Sequence, residues 1–244
     1  MASRSGRSGV FAVYLMFFGI CMEQTPVTEI ANLDILNLIP NNCKRVVEVG
    51  SSSGALAREY KKLNPGCHYT GIEIDPKYAA LSKRFCDAVL HASIESLDEN
   101  SFNSLFPSDC WVFADVLEHL VDPWSLLKRI RGKISSETPV VVCLPNMQHW
   151  SIQAKINCGR FIYEDAGLLD RTHLRWFTRL TIIDLFQSSG FRVVEGSPRI
   201  FKHMEPNKKM LTAIKAMAEA TGADAETSIN DALAFQWVVK AIPA

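Results

Sequence analysis

The stretch VVEVGSSSGALA, residues 46–57, decides the fold. A short β-branched run from Arg45 to Val49 stops at Gly50, and a helical pattern opens at Ala55 and runs to Leu63, where Asn64, Pro65 and Gly66 break it. Strand, tight turn and helix in direct succession open a βαβ unit. Gly50 and Gly54 let the turn take backbone angles closed to other residues and bring its N–H groups close to a ligand, while the helix start beyond them favours a carboxylate or phosphate. Glu48 places an acid at the end of the strand, and Ser51 and Ser52 line the turn.

The unit repeats outward from this point. Tyr69 to Ile74 reads as a second strand and Pro76 to Phe85 as a helix with proline in its first turn; Ala88 to His91 and Cys110 to Ala114 follow as strands. Asp122 to Ile134 is helical, and Pro139 to Leu144 is a β-branched fifth strand ended by Pro145. Upstream, Ile30, Leu33, Leu36 and Ile39 predict a helix over Thr28 to Ile39. Downstream, Thr178 caps a helix from Arg179 to Ser189, Phe191 to Glu195 is a strand, Asn207 to Ala220 a helix and Ala234 to Ala241 a last strand. This alternation predicts an α/β fold with a mostly parallel sheet and helices on both faces. With 244 residues, 48% of them hydrophobic, the chain suits one sizeable core, read as a single domain over 23–244.

Lys+Arg and Asp+Glu stand at 26 each, so no long-range field favours nucleic acid or an anionic membrane. The seven cysteines are scattered and form no C-x-x-C pair, which points to reduced thiols in a cytoplasmic protein. Arg4 and Arg7 precede an apolar run, Val10 to Met22, that is too short to span a bilayer and lacks a small-x-small cleavage site, so residues 1–22 are read as an extension.

Three chemistries compete for the turn. A dinucleotide fingerprint needs G-x-G-x-x-G, which the spacing of Gly50 and Gly54 does not supply. Gly50 to Gly54 does match the G-x-S-x-G elbow of an α/β-hydrolase, with Ser52 as nucleophile and Asp170 with His203 as candidate partners, although such an elbow follows several strands rather than the first. The second strand favours a third reading: Glu73 in GIEIDP lies nineteen residues after Gly54, where a carboxylate can accept both ribose hydroxyls of a nucleoside. Without a ligand, Glu73 or Asp75 would simply favour the helix start.

The run from Glu48 to Gly54 resembles the first motif of class I S-adenosylmethionine-dependent methyltransferases, an acid followed by G-x-G-x-G, with Ser52 in place of the middle glycine. CWVFADVLEHLVDP (110–123), PNMQHWS (145–151) and GLLDRTHLRWFT (167–178) resemble a group that includes bacterial sugar and cell-surface methyltransferases and ubiquinone-type O-methyltransferases, in outline over residues 44–195. The resemblance implies a Rossmann-like seven-stranded sheet with an antiparallel last strand and S-adenosylmethionine as cofactor. It implies that Glu48, Gly50, Ser51, Ser52 and Gly54 cradle the cofactor, that Glu73 holds its ribose, that Ile74 and Ile94 pack on adenine, and that Ser93 and Asp115 also border it.

Transfer to a hydroxyl requires a base, for which His119, beyond the fourth strand, is the first choice; the same histidine could instead pin its loop by hydrogen bonds. Asp115, Glu118 and His119 fall at i, i+3, i+4 and could face a divalent metal, but three groups on one turn do not establish one, and no required metal is expected. The stretch 146–178 is read as an acceptor-side lid in which His149, Trp150, His173 and Arg175 line a pocket for a small molecule or glycan precursor, or in which Asp170 pairs with Arg171 or Arg175. A protein that binds the cofactor without catalysis is the remaining alternative. No Asn/Asp-Pro-Pro-Tyr, P-loop or H-E-x-x-H occurs.

Overall fold

In β1 (Arg45–Val49), Val47 and Val49 enter one apolar core and Val46 the other, the period-two alternation of a strand covered on both faces. In β4 (Cys110–Ala114), Trp111 and Phe113 join the first core while Cys110 and Val112 join the second. Each core is therefore a layer of helices against one face of a shared sheet. The computed structural model describes residues 29–244.

The sheet has seven strands in the order β3-β2-β1-β4-β5-β7-β6. β2 (His68–Glu73), β3 (Ala88–His91) and β5 (Val140–Pro145) run parallel to β1 and β4. β7 (Gln236–Pro243) inserts antiparallel between β5 and β6 (Phe191–Arg199). The seven-stranded sheet with its antiparallel last strand is as expected. Its chain order reverses at β1, whose neighbours are β2 and β4, so the loops leaving these strands part and open a crevice at their carboxyl ends.

Several boundaries differ from expectation for local reasons. The first helix, α1 (Leu33–Leu38), starts later than Thr28, because the Asn32 side chain accepts from the N–H groups of Asp34 and Ile35 and fixes the N-cap there. β6 runs on to Arg199 past an irregularity between Val193 and Glu195; Pro198 is tolerated because this strand is an edge. Helices α2 (Ala55–Leu63), α3 (Pro76–Ser82), α5 (Pro123–Arg131), α7 (Arg179–Ser188) and α8 (Lys208–Ala220) fall close to the periodic runs. The short α4 (Glu99–Asn103), α6 (Trp150–Asn157) and α9 (Ala225–Leu233) were not foreseen.

Cys43, Cys67, Cys86, Cys110 and Cys143 are buried free thiols and Cys158 is an exposed one. Cys21 and the run Val10 to Met22 lie outside the described residues, among which no helix is long and apolar enough to cross a membrane.

Phe113 is fully buried and stacks on Trp111 with ring centroids 6.3 Å apart. Phe113→Ala is expected to destabilise the protein by about 3–5 kcal/mol, read as a fall in the urea midpoint at unchanged slope.

Candidate active site

The turn after β1 is set by sterics. Gly50 has φ +76°, and a Cβ there would lie 2.4 Å from Val116 Cγ2. Gly54, at φ +77°, caps α2, and a Cβ on it would come within 3.0 Å of the Ser82 main chain in α3. Ser52 is also left-handed, at φ +46°, a conformation that costs an L-residue about 1–2 kcal/mol. The N–H groups of the turn are mostly not offered to a ligand as expected: Gly50 and Ser51 donate to the Ile72 carbonyl at 2.8 and 3.3 Å, and Gly54 to Ser51. What the glycines provide is close approach of the main chain.

Ser52 N–H donates at 2.8 Å to Glu73 Oε2, and Asp75 N–H at 2.9 Å to Oε1. Glu73 thus faces the turn across the crevice, and each oxygen keeps a further lone pair. Asp75 caps α3 through Lys77 and Tyr78, as the sequence indicates. Glu48 is buried, its Oε2 and the nearby Tyr69 hydroxyl make no hydrogen bond of normal geometry, and burial pushes its carboxyl up to about 8, with the Glu73 charge adding to the rise.

At the end of β4, Asp115 adopts φ +55° and accepts from the Gln236 side-chain amide at the start of β7. Burial raises its carboxyl to about 6 against the lowering influence of Arg199. The 3-10 turn Leu117–His119 then carries Glu118, buried with both carboxylate oxygens unpartnered and raised well above the ordinary range by burial and by Asp115. His119 and His173 meet edge to face at 4.8 Å, and burial lowers both imidazoles, His173 to about 4.

A cavity of about 680 Å³ joins these groups at the carboxyl ends of β1, β2 and β4. Glu48, Gly50, Ser51, Ser52, Glu73 and Ile74 line one wall of it. Ser93, Ile94, Asp115, His119 and His173 line it too.

Four expected residues do not. Gly54 sits behind the turn against α3. His149 is 1% exposed and caps α6, its Nδ1 2.8 Å from Ser151 Oγ, because a helix start needs an acceptor for its first N–H groups. Trp150 donates its indole N–H to the Met204 carbonyl at 2.9 Å. Arg175 spends its guanidinium on the carbonyls of Leu174 and Val121. Arg171 bridges to Asp165, and Asp170 Oδ1 accepts from Thr172.

The candidate metal set also changes. Among the described residues the group with ligand atoms within 4.8 Å of one another is Glu118, His119 and His173; Asp115 turns instead to Gln236. That spacing is looser than the roughly 3.4 Å between ligand atoms of a tetrahedral first-row ion.

Asn32, Phe235 and Gln236 also line the cavity and had no signal in the sequence, since α1 and the antiparallel β7 bring them from far along the chain; Val116, inside the 110–123 run, lines it as well. The hydrolase constellation is not assembled, because His203 is absent from the cavity wall and packs beside Phe201 at 5.8 Å.

A family model described as a methyltransferase domain matches residues 28–196. The structure is similar to that of the mitomycin 7-O-methyltransferase MmcR, at 14% identity and a TM-score of 0.53, over 86% of this chain and 52% of that one. It is similar to human N-acetylserotonin methyltransferase in complex with S-adenosylmethionine, at 17% identity and 0.52, over 87% and 51%. A putative S-adenosylmethionine-dependent methyltransferase from Listeria monocytogenes matches at 13% identity and 0.55, over 87% and 97%. This chain therefore spans about half the length of the first two. No curated protein matches the sequence.

Ser52→Gly is expected to raise stability by about 0.5–1 kcal/mol, the relief of left-handed strain outweighing added chain entropy, as measured by urea unfolding. Glu48 binds its proton more tightly folded, with a carboxyl at about 8, than unfolded near 4.5, so its contribution is complete below 4.5 and is lost as pH rises towards 8. Unfolding titrations should show a loss of up to about 1.4 kcal/mol per pH unit from this group, and Glu48→Gln should remove that contribution from a background in which Asp115 and Glu118 act with the same sign and the burial-lowered His119, His149 and His173 with the opposite one.

Proposed function

The chain belongs to the methyltransferase-domain family, whose model covers residues 28–196, and from that premise we propose that it transfers the methyl group of S-adenosylmethionine to a hydroxyl of a small molecule or glycan precursor. The observation that carries this reading is the single cavity shared by the Gly50 turn, the Glu73 carboxylate and the His119 imidazole.

The residues present fit the cofactor. Its about 680 Å³ lies within the range of small-molecule sites, about 300–1,000 Å³. A main chain bare of side chains at Gly50, a carboxylate with spare lone pairs at Glu73, and the half-exposed apolar Ile74 suit an amino-acid tail, a ribose and an adenine in turn. Glu48, Ser93, Ile94 and Asp115 complete that wall. When bound, S-adenosylmethionine supplies a methyl group already activated by its sulfonium.

The protein's own part is to align the acceptor and receive its proton. His119 suits the second task, because burial favours the neutral imidazole that a base requires. His173 stands beside it, and Leu168, Leu174 and Phe235 give the acceptor side an apolar wall. One structural neighbour is named for O-methylation of mitomycin, which supports oxygen as the acceptor atom. The motifs at 110–123 and 167–178 support the sugar, cell-surface and ubiquinone-type group.

S-adenosylmethionine and S-adenosylhomocysteine should each give saturable thermal stabilisation, and NAD none; stabilisation by NAD alone would refute the reading. Glu73→Ala should weaken S-adenosylmethionine binding by about 1–3 kcal/mol in calorimetry, since the ribose hydroxyls lose a charged partner. His119→Asn should lower methyl transfer to responding hydroxyl acceptors by about 10²–10⁴-fold and leave cofactor affinity within about twofold.

A further inference from the structure

The imidazole of His119 is held by the segment that packs over it. Its Nδ1 lies 3.0 Å from Thr172 Oγ1 and 3.2 Å from the Thr172 carbonyl oxygen. Thr172 in turn donates its hydroxyl to Asp170 Oδ1 at 2.6 Å, and its N–H to the same oxygen at 2.8 Å. The hydroxyl has one proton, and Asp170 receives it, so towards His119 Thr172 Oγ1 can only accept. A carbonyl oxygen can only accept as well. Both contacts therefore require the proton of neutral His119 to sit on Nδ1, which leaves the lone pair on Nε2. That nitrogen has no hydrogen bond among the described residues, and His119 lines the cavity.

The holding segment is itself fixed next to the histidine. Leu174 and Arg175 donate their N–H groups to the Glu118 carbonyl at 2.8 and 2.9 Å, and His173 N–H donates to the Asp170 carbonyl at 3.1 Å. Asp170 is 3% exposed, so its carboxylate is shielded from competing water and its bond to Thr172 persists.

We propose that Thr172 and Asp170 are the positioning residues of methyl transfer: they lock His119 in the Nδ1–H tautomer and so present Nε2 to the acceptor hydroxyl as the proton-accepting atom. The proton leaves the acceptor oxygen for Nε2 as the oxygen's electron pair forms the bond to the methyl carbon, and the carbon–sulfur pair departs with sulfur. Imidazolium forms with both nitrogens protonated, its Nδ1–H still directed at Thr172 and its charge offset by Asp170. Reversing the Thr172 hydroxyl would put a donor against Nδ1, move the proton to Nε2 and leave no base. The role rests on His119 being the base.

Nitrogen-15 spectra of the full chain, uniformly labelled, test the lock without an acceptor. Neutral His119 is expected to show a protonated Nδ1 and an unprotonated Nε2. Asp170→Asn, whose amide can donate to Thr172 Oγ1 and free the hydroxyl to turn, should raise the Nε2–H population at least several-fold; Thr172→Ala should raise it too, and Thr172→Ser should restore the wild-type spectrum. Protonated Nε2 in the wild type, or a tautomer unchanged in both folded Asp170→Asn and folded Thr172→Ala, where the Thr172 carbonyl alone would then hold the Nδ1–H, would overturn the side-chain lock even if cofactor binding stands. Undiminished methyl transfer by His119→Asn would instead overturn the base, and with it the positioning role, whatever the tautomer.

Discussion

The hydrogen bond from Ser52 N–H to the Glu73 carboxylate, 2.8 Å long, ties the turn after β1 to the end of β2, and the site depends on it. It extends past the strand ends the tie that Gly50 and Ser51 N–H make to the Ile72 carbonyl between the paired β1 and β2. The bond makes the turn and the end of β2 opposite walls of one crevice with a fixed separation. It also explains how a serine survives where the chain turns left-handed: the strain at Ser52 is offset in place by an N–H to carboxylate bond, which is stronger than a neutral pair.

Around that bond the cavity collects carboxyl groups of unlike standing. Glu73 is satisfied by two main-chain amides, whereas Glu48 and Glu118 are buried with oxygens unpartnered and Asp115 leans on one side-chain amide. Burial disfavours the charged form of each of the last three, so they stay neutral to higher pH than carboxyls usually do. Such a wall is costly for an uncharged occupant that cannot hydrogen-bond and favourable for one with cationic centres and hydroxyls. The proposed cofactor has both. The acids thus suit a site whose electrostatics is completed by its ligand, and their own contribution to stability falls as pH rises.

The sheet and the wall that joins the Gly50 turn to Glu73 were legible in the sequence because both are local. β1, β3 and β4 fall where short apolar runs are bounded by turn residues, and Gly50, Ser52 and Glu73 lie within one βαβ unit, so spacing alone brings them together. The acceptor side was not legible. His149 and Trp150 look like pocket residues in a polar and aromatic stretch, yet the backbone needs of α6 and the carbonyl of Met204 claim them. Gln236 reaches Asp115 only because β7 runs antiparallel beside β5, a pairing that no local pattern announces. Arg175 shows the same limit: its charge suggested an anionic ligand, but main-chain carbonyls left open by the loop at Val121 take it up.

The segment around Asp170 gains meaning from that limit. Read as sequence, its charged residues among apolar ones suggest an ion pair that holds a lid. In the fold this segment is held by main-chain bonds to Glu118, and Asp170 Oδ1 accepts from Thr172. A turn that needed only to close the cavity would not require a buried acid orienting a hydroxyl that in turn orients an imidazole. On the proposed reading, displacing the segment would remove both acceptors from His119 Nδ1 and free the ring to take either tautomer. Such coupling would tie a competent base to the arrangement in which this segment packs against the cavity.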